Sequence, residues 1–370
     1  MIYEKMLLNR KDEVSFLELK DDSEIDINGD VYTGYLPLPI RINTLIDTIA
    51  KGNNEELPLD NIIDGIVFMY GIGLEIDYED IYAEMLNSYS DDPKKLIFGM
   101  AMSFFQQEMY SDAAVYLNAL IKLKVEDELV LFNLANTLEN IDITELSDED
   151  RDEYVLDIMR IYERTLNYNN EFSLAYYKLG YIYNAFGQYI KSKITWEKFL
   201  HLDSDELRLQ EVRNNIDEMM PSYLSEVAVL AIEQGDYDKA LSSLIKINEG
   251  ARTDRNYFDM STCYLNLNDI EFAFESIYKA IEISPEREYF NQLAIINNAI
   301  GDIETAIKVL EDAIEEYGED YYIDYNLATL LYQAGRLNKS LVYFEKANAI
   351  KSSDELQNII DMLEKEVLNG

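Results

Sequence analysis

An all-α fold built as an array of helical hairpins is what this 370-residue sequence predicts, and three observations predict it. A helical segment recurs in the second half of the chain, beginning at Gly187, Gly235, Asn268, Gly301 and Gly335, so the steps are 48, 33, 33 and 34 residues. Each segment carries apolar or small residues at i, i+3, i+4 and i+7, the pattern of an amphipathic helix. Each is preceded by a second stretch of the same kind, such as LAYYKLGYIYNAF or YIDYNLATLLYQA, with a Gly or Asn between them that suits a left-handed turn.

The elements follow in order. Residues 1–93 differ from the rest and carry 21 acidic and 6 basic residues, a net charge of -15. Within them VSFLELK alternates with period two, and INGDVYTGYLPLPI is β-branched and aromatic, consistent with a β-hairpin around Asn28-Gly29. Helical patterning returns from Arg41 in INTLIDTIA, LDNIIDGIVFMYGIG and YEDIYAEMLNSY; the last two read as a degenerate hairpin capping the front of the array. Hairpins are then expected at about 94–127, 128–172, 173–220, 221–253, 254–286, 287–320 and 321–352. In the second of these an acidic insert precedes a helix that Ser147, with Asp150 three residues on, should cap. The third carries an added helix, SDELRLQEVRNNIDEMM, with Leu209, Val212, Ile216 and Met219 on one face. It is either a cap between two blocks, 94–220 and 221–370, with Pro221 opening the second, or a lengthened helix in one array. Residues 353–368, with Leu356, Ile360 and Leu363 similarly spaced, close the exposed end as a terminal cap.

These segments resemble tetratricopeptide repeats, a family of 34-residue helical hairpins. The family's small residue late in the first helix matches Gly180, Ala228, Ser261, Ala294 and Ala328, after Leu179, Val227, Met260, Leu293 and Leu327. Its small residue early in the second helix matches Ser192, Ala240, Ala273, Ala306 and Ser340. Ala280, Ala313 and Ala347 fit a later small position, from which Phe199 and Ile247 depart, and the loop proline occurs once, as Pro285. Small residues there let the helices approach closely. The resemblance implies a right-handed superhelical solenoid of about seven hairpins whose first helices line a concave groove.

Composition bounds the function. The 72 acidic and 31 basic residues leave a net charge of -41, which repels the phosphates of nucleic acid and anionic membranes. One cysteine, Cys263, and one histidine, His201, exclude a disulfide framework, a cysteine-rich zinc site and any site needing two imidazoles. Cys263 falls at a helix packing position and His201 near a helix C-terminus. Asp26, Asn28 and Asp30 alternate as in a calcium loop, but Val31 and Pro37 stand where that loop needs Gly and Glu. No cofactor or metal is expected. The opening MIYEKMLLNRKDEVSF lacks an apolar stretch of signal-peptide length, and no run approaches a membrane span, so the expected compartment is the cytoplasm.

The positions that the resemblance turns toward the groove hold aromatics and side-chain amides: Phe98, Phe132, Asn133, Asn136, Tyr177, Tyr181, Asn184, Phe258, Asn291, Asn298, Tyr325 and Asn326. An amide both donates and accepts, so a row of them can hold an extended peptide by its backbone. A bland reading, Asn tolerated on exposed helices, competes. The family's carboxylate clamp needs Lys and Asn four apart; Phe132/Asn136 and Tyr177/Tyr181 stand there instead. The expected function is a non-catalytic scaffold or adaptor binding a neutral or basic peptide segment of another protein. The alternatives are a bacterial peptide-sensing regulator with residues 1–93 as output and, more remotely, an acidic mimic of nucleic acid.

Overall fold

A computed structural model describes residues 1–18, 24–33, 35–50, 58–75 and 77–369. Leu19 and Lys20, the end of the alternating segment, and Gly34 lie outside the described residues. Two compact units are formed, Met1–Arg213 and Asn214–Gly370.

The first unit opens with α1 (Ile2–Leu8), a 3-10 turn (Asn9–Glu13), β1 (Val14–Glu18), β2 (Glu24–Ile27), β3 (Asp30–Thr33) and β4 (Pro37–Arg41). The expected hairpin is present: β2 and β3 pair antiparallel, and Asn28 and Gly29 both adopt positive φ, 54° and 99°. A second antiparallel pair, β1 with β4, runs from Val14↔Arg41 to Glu18↔Pro37. There follow α2 (Ile42–Ala50), α3 (Leu59–Ile72) and α4 (Glu79–Tyr89). The expected α3–α4 hairpin does not form as such, because α3 packs chiefly on β4 and on the sixth helix. Two glycines explain this preference. A Cβ at Gly65 would strike the Pro39 carbonyl, and one at Gly71 would strike Val115, so only glycine lets the backbones approach.

Hairpins α5/α6 (Pro93–Gln106, Tyr110–Lys122), α7/α8 (Glu128–Leu138, Asp148–Tyr168) and α9/α10 (Ser173–Ala185, Tyr189–Leu202) complete this unit, up to the start of α11 (Glu206–Glu233). Ser147 caps α8 as expected, its hydroxyl accepting from the Asp150 N–H. The added helix is present but does not end at Pro221: α11 is a single 28-residue helix with that proline inside it. In the second unit α11 pairs with α12 (Tyr237–Lys246), followed by α13/α14 (Asp254–Asn266, Ile270–Ile283), α15/α16 (Arg287–Ala299, Ile303–Tyr317) and α17/α18 (Tyr321–Gln333, Leu337–Ile350). The terminal α19 (Asp354–Asn369) buries Leu356, Ile360 and Leu363 against Ala328, Phe344 and Ala347, and so caps the last hairpin.

Two sequence features build six of the seven hairpins, the exception being α7/α8 with its acidic insert. The turn residue is left-handed at Gly187, Gly235, Asn268, Gly301 and Gly335, and also at Glu108, where no glycine announced it. The following N–H reaches back to close the helix end, as Gln188 does to Tyr183 O at 2.9 Å. Second, small residues twelve apart line the seam: Ala101/Ala113, Gly180/Ser192, Ala228/Ala240, Ser261/Ala273, Ala294/Ala306 and Ala328/Ser340 are all buried. Where one of the pair is serine, its hydroxyl crosses the seam. Ser192 donates to Gly180 O at 2.8 Å, Ser261 to Ala273 O at 2.9 Å and Ser340 to Ala328 O at 2.7 Å.

Residues 1–93 dock against second helices. The Ile2 N–H donates to buried Asp157 of α8 at 2.6 Å, Lys122 of α6 pairs with Glu4 at 2.9 Å, and Asn118 of α6 donates to Gly71 O at 2.7 Å. At the centre of this join, Arg41 and Arg10 converge on buried Asp112 at 2.7 and 3.1 Å and lie over the Phe68 ring. The Arg10 hydrogen bond holds Glu13 below the usual carboxylate range, whereas burial raises Asp64, which accepts from Tyr116.

Candidate functional site: the first-helix face

All twelve residues singled out in the sequence lie on first helices, and all are half-buried, neither sealed in the core nor fully in solvent. Their surroundings differ between the units. In the first, Phe98 packs at the edge of the core, and Phe132 packs at a tilt against Phe172 and Tyr162 with centroids 5.0 and 5.7 Å away. Asn133 turns its amide back to Leu129 O of its own helix at 2.8 Å, and Asn136 receives the amide of Asn140 on its carbonyl. Tyr177 and Tyr181 meet edge to face at 5.1 Å, and both hydroxyls donate to Glu211 on α11. Burial and that carboxylate raise both phenols. Glu211 was not foreseen because it lies in the added helix, outside the repeat register. Asn184 sits half-buried at the end of the same face.

In the second unit the face opens into a cleft of about 540 Å³ at the N-terminal ends of α15 and α17. Phe258 and Asn291, both among the residues singled out in the sequence, line it together with Arg287, Gln292, Tyr322 and Asp320. Arg255 lies 4.7 Å over the Phe258 ring and pairs with Glu288 at 2.7 Å. Asn326 donates to Asn291 Oδ1 at 2.7 Å, so adjacent repeats are laced by an amide pair. Tyr325 packs edge-on to Phe344, and Asn298 stays half-buried toward the helix end. The amides of the two units therefore divide their work: Asn133 satisfies its own helix, while Asn291 and Asn326 bond each other.

Two buried carboxylates stand on these first helices. Burial pushes Asp259 up to about 6 despite Arg255 beside it, and Asp324, wholly buried with neither oxygen hydrogen-bonded among the described residues, up to about 6, aided by Glu319. The folded state therefore holds these protons more tightly than the unfolded chain, whose Asp titrates near 3.8. Their stabilising effect is complete below pH 3.8 and is lost as the pH rises through 6. Asp324→Asn is expected to raise stability at pH 7.5 by roughly 1–2 kcal/mol and to flatten the fall between pH 4 and 6, as read from urea midpoints. An unchanged pH profile would refute the assignment. Cys263, buried on α13, has its thiol raised to about 12 by burial, which removes the thiolate a nucleophile needs.

Profiles described as tetratricopeptide repeat match residues 254–287 and 299–355. A TPR repeat-containing protein of Methanocaldococcus jannaschii is 27% identical over 199 residues, covering 50% of this chain and 35% of that protein. The chain thus matches about a third of that relative's length. Among solved structures, a tetratricopeptide repeat protein from Parabacteroides merdae is 13% identical with a TM-score of 0.37, over 73% of this chain and 98% of that one. YrrB, a TPR protein with an unusual peptide-binding site, is 15% identical with a TM-score of 0.26, over 65% of this chain and 94% of that one. MamA is 15% identical with a TM-score of 0.36, over 49% and 92%. The small-residue seams twelve apart, the left-handed turns and the two matched segments agree: this chain contains tetratricopeptide repeats.

Proposed function

We propose that the chain is a non-catalytic protein-interaction scaffold that receives a peptide segment of a partner protein on its first helices. Tetratricopeptide repeats are protein-interaction modules, and the finer reading rests on one observation. The half-buried aromatics and amides gather on first helices, while residues 1–93 attach to second helices α6 and α8 through Glu4, Gly71 and Ile2. Half-buried aromatics offer apolar area at low entropic cost, and amides offer both hydrogen-bond polarities. The net charge of -41 favours a neutral or basic partner over nucleic acid or an anionic membrane. No helix among the described residues is long and apolar enough to cross a membrane.

The experiment is affinity capture from native cell extract with wild type beside two variants, Tyr177→Ala/Tyr181→Ala in the first unit and Phe258→Ala/Asn291→Ala in the second. Folding of each bait is checked by circular dichroism. A partner lost from either variant by tenfold or more, and recovered with wild type, supports the reading. Partners retained equally by both would move attention to the second helices and residues 1–93.

A further inference from the structure

In the wall of the cleft at the N-terminal ends of α15 and α17, two buried hydrogen-bond donors have no partner among the described residues. Gln292 is nine-tenths buried, and its Nε2 has no partner among the described residues. Arg287 gives one Nη to Tyr317 O at 2.8 Å and the other to Asp320 at 3.4 Å, yet its buried Nε is also unpartnered. Buried donors left unsatisfied destabilise a fold, so their retention in a solvent-connected cleft points to an acceptor that arrives from outside. The surroundings limit what that acceptor is. Glu286 and Glu288 stand at the cleft, Asp320 already neutralises Arg287, and the whole chain carries a charge of -41. A carboxylate or phosphate would enter against this field. A neutral carbonyl oxygen would not, and Phe258 and Tyr322 supply apolar area beside it.

From this we infer that the cleft binds an internal, uncharged stretch of peptide through its backbone carbonyls, the side chains of Gln292 and Arg287 turning their buried Nε2 and Nε into the cleft as donors when the peptide seats, and that it discriminates against a free C-terminal carboxylate. The inference rests on the reading of the first helices as a peptide-binding face, and it assigns the second unit's cleft its ligand class.

The test uses the intact chain. Dodecapeptides are selected on it by phage display, and the best are synthesised with acetylated and amidated ends and, separately, as free acids. Binding is followed by fluorescence anisotropy with wild type, Gln292→Leu and, to report on the first unit's face, Asn136→Ala. End-blocked peptides should bind more tightly than their free-acid forms. Gln292→Leu should weaken them about tenfold or more. The same substitution should raise the melting temperature of the ligand-free chain, because it removes an unsatisfied buried donor. A purely structural glutamine would not separate the two readouts in that way. Tighter binding of the free acids, or affinity untouched by Gln292→Leu but lost in Asn136→Ala, would overturn this inference and leave the broader reading standing. Selection of no peptide at all would overturn both.

Discussion

Trp196→Ala is expected to lower stability by about 3–5 kcal/mol, measured by urea unfolding followed in far-ultraviolet circular dichroism. Trp196 is wholly buried at the seam of α9 and α10. Its ring lies edge-on to Tyr181 at 5.0 Å, and its Nε1 donates to Tyr177 O at 3.2 Å. It also fills the space beside Gly180, where any Cβ would strike the indole. Truncation therefore opens a cavity, removes the indole's hydrogen bond and loosens the tyrosine pair that faces Glu211. Trp196→Phe should recover more than half of the loss by refilling most of the volume. It is the chain's single tryptophan, so wild-type fluorescence reports this hairpin alone. A loss below about 1 kcal/mol on Trp196→Ala would show that the seam is not held by this ring.

Asp112→Ala should be as damaging, by about 3–5 kcal/mol, for a different reason. Asp112 accepts from Arg41 and Arg10, both largely withdrawn from water. Removing the carboxylate leaves two guanidinium groups beside Phe68, with Glu13 and Asp64 their remaining acids. The damage should be local. Hydrogen exchange should accelerate in residues 9–13 and 37–41 while α13 to α18 keep their protection. Combining Asp112→Leu with Arg41→Met should restore most of the stability, since a buried pair replaced whole by apolar side chains is often neutral. A double variant as unstable as the single one would contradict that account.

The repeat array was legible because its signals are local and repeated. A left-handed turn and two small residues twelve apart recur, and a single miss does not disturb the rest. The exceptions carry their reasons. Glu108 occupies a left-handed turn that its residue type did not announce. Pro221 leaves two readings open, a helix start or a place inside one lengthened helix, and α11 takes the second, since one missing N–H does not break a helix with buried residues on both sides of the proline. The hairpin at Asn28-Gly29 followed from its turn chemistry, but the β1–β4 pairing links distant segments and left no local trace. The same limit governs the candidate site. Repeat register puts Phe258 and Asn291 on the expected groove face of their first helices, but register could not show that Asn326 would bond Asn291 or that Gln292 Nε2 would have no partner among the described residues. Those depend on how neighbouring hairpins meet.

The seam hydroxyls of Ser192, Ser261 and Ser340 bear on how such a chain can be edited. Each closes its hairpin by a bond between residues twelve apart, so the closure is contained within that hairpin and asks nothing of its neighbours. A hairpin is then an interchangeable part. Its length and clearance are set internally, and one copy can be duplicated, deleted or grafted while the remaining closures stay intact. Arrays of this kind can lengthen or shorten by whole hairpins, with their ligand-facing positions free to vary independently of the parts that hold the helices together.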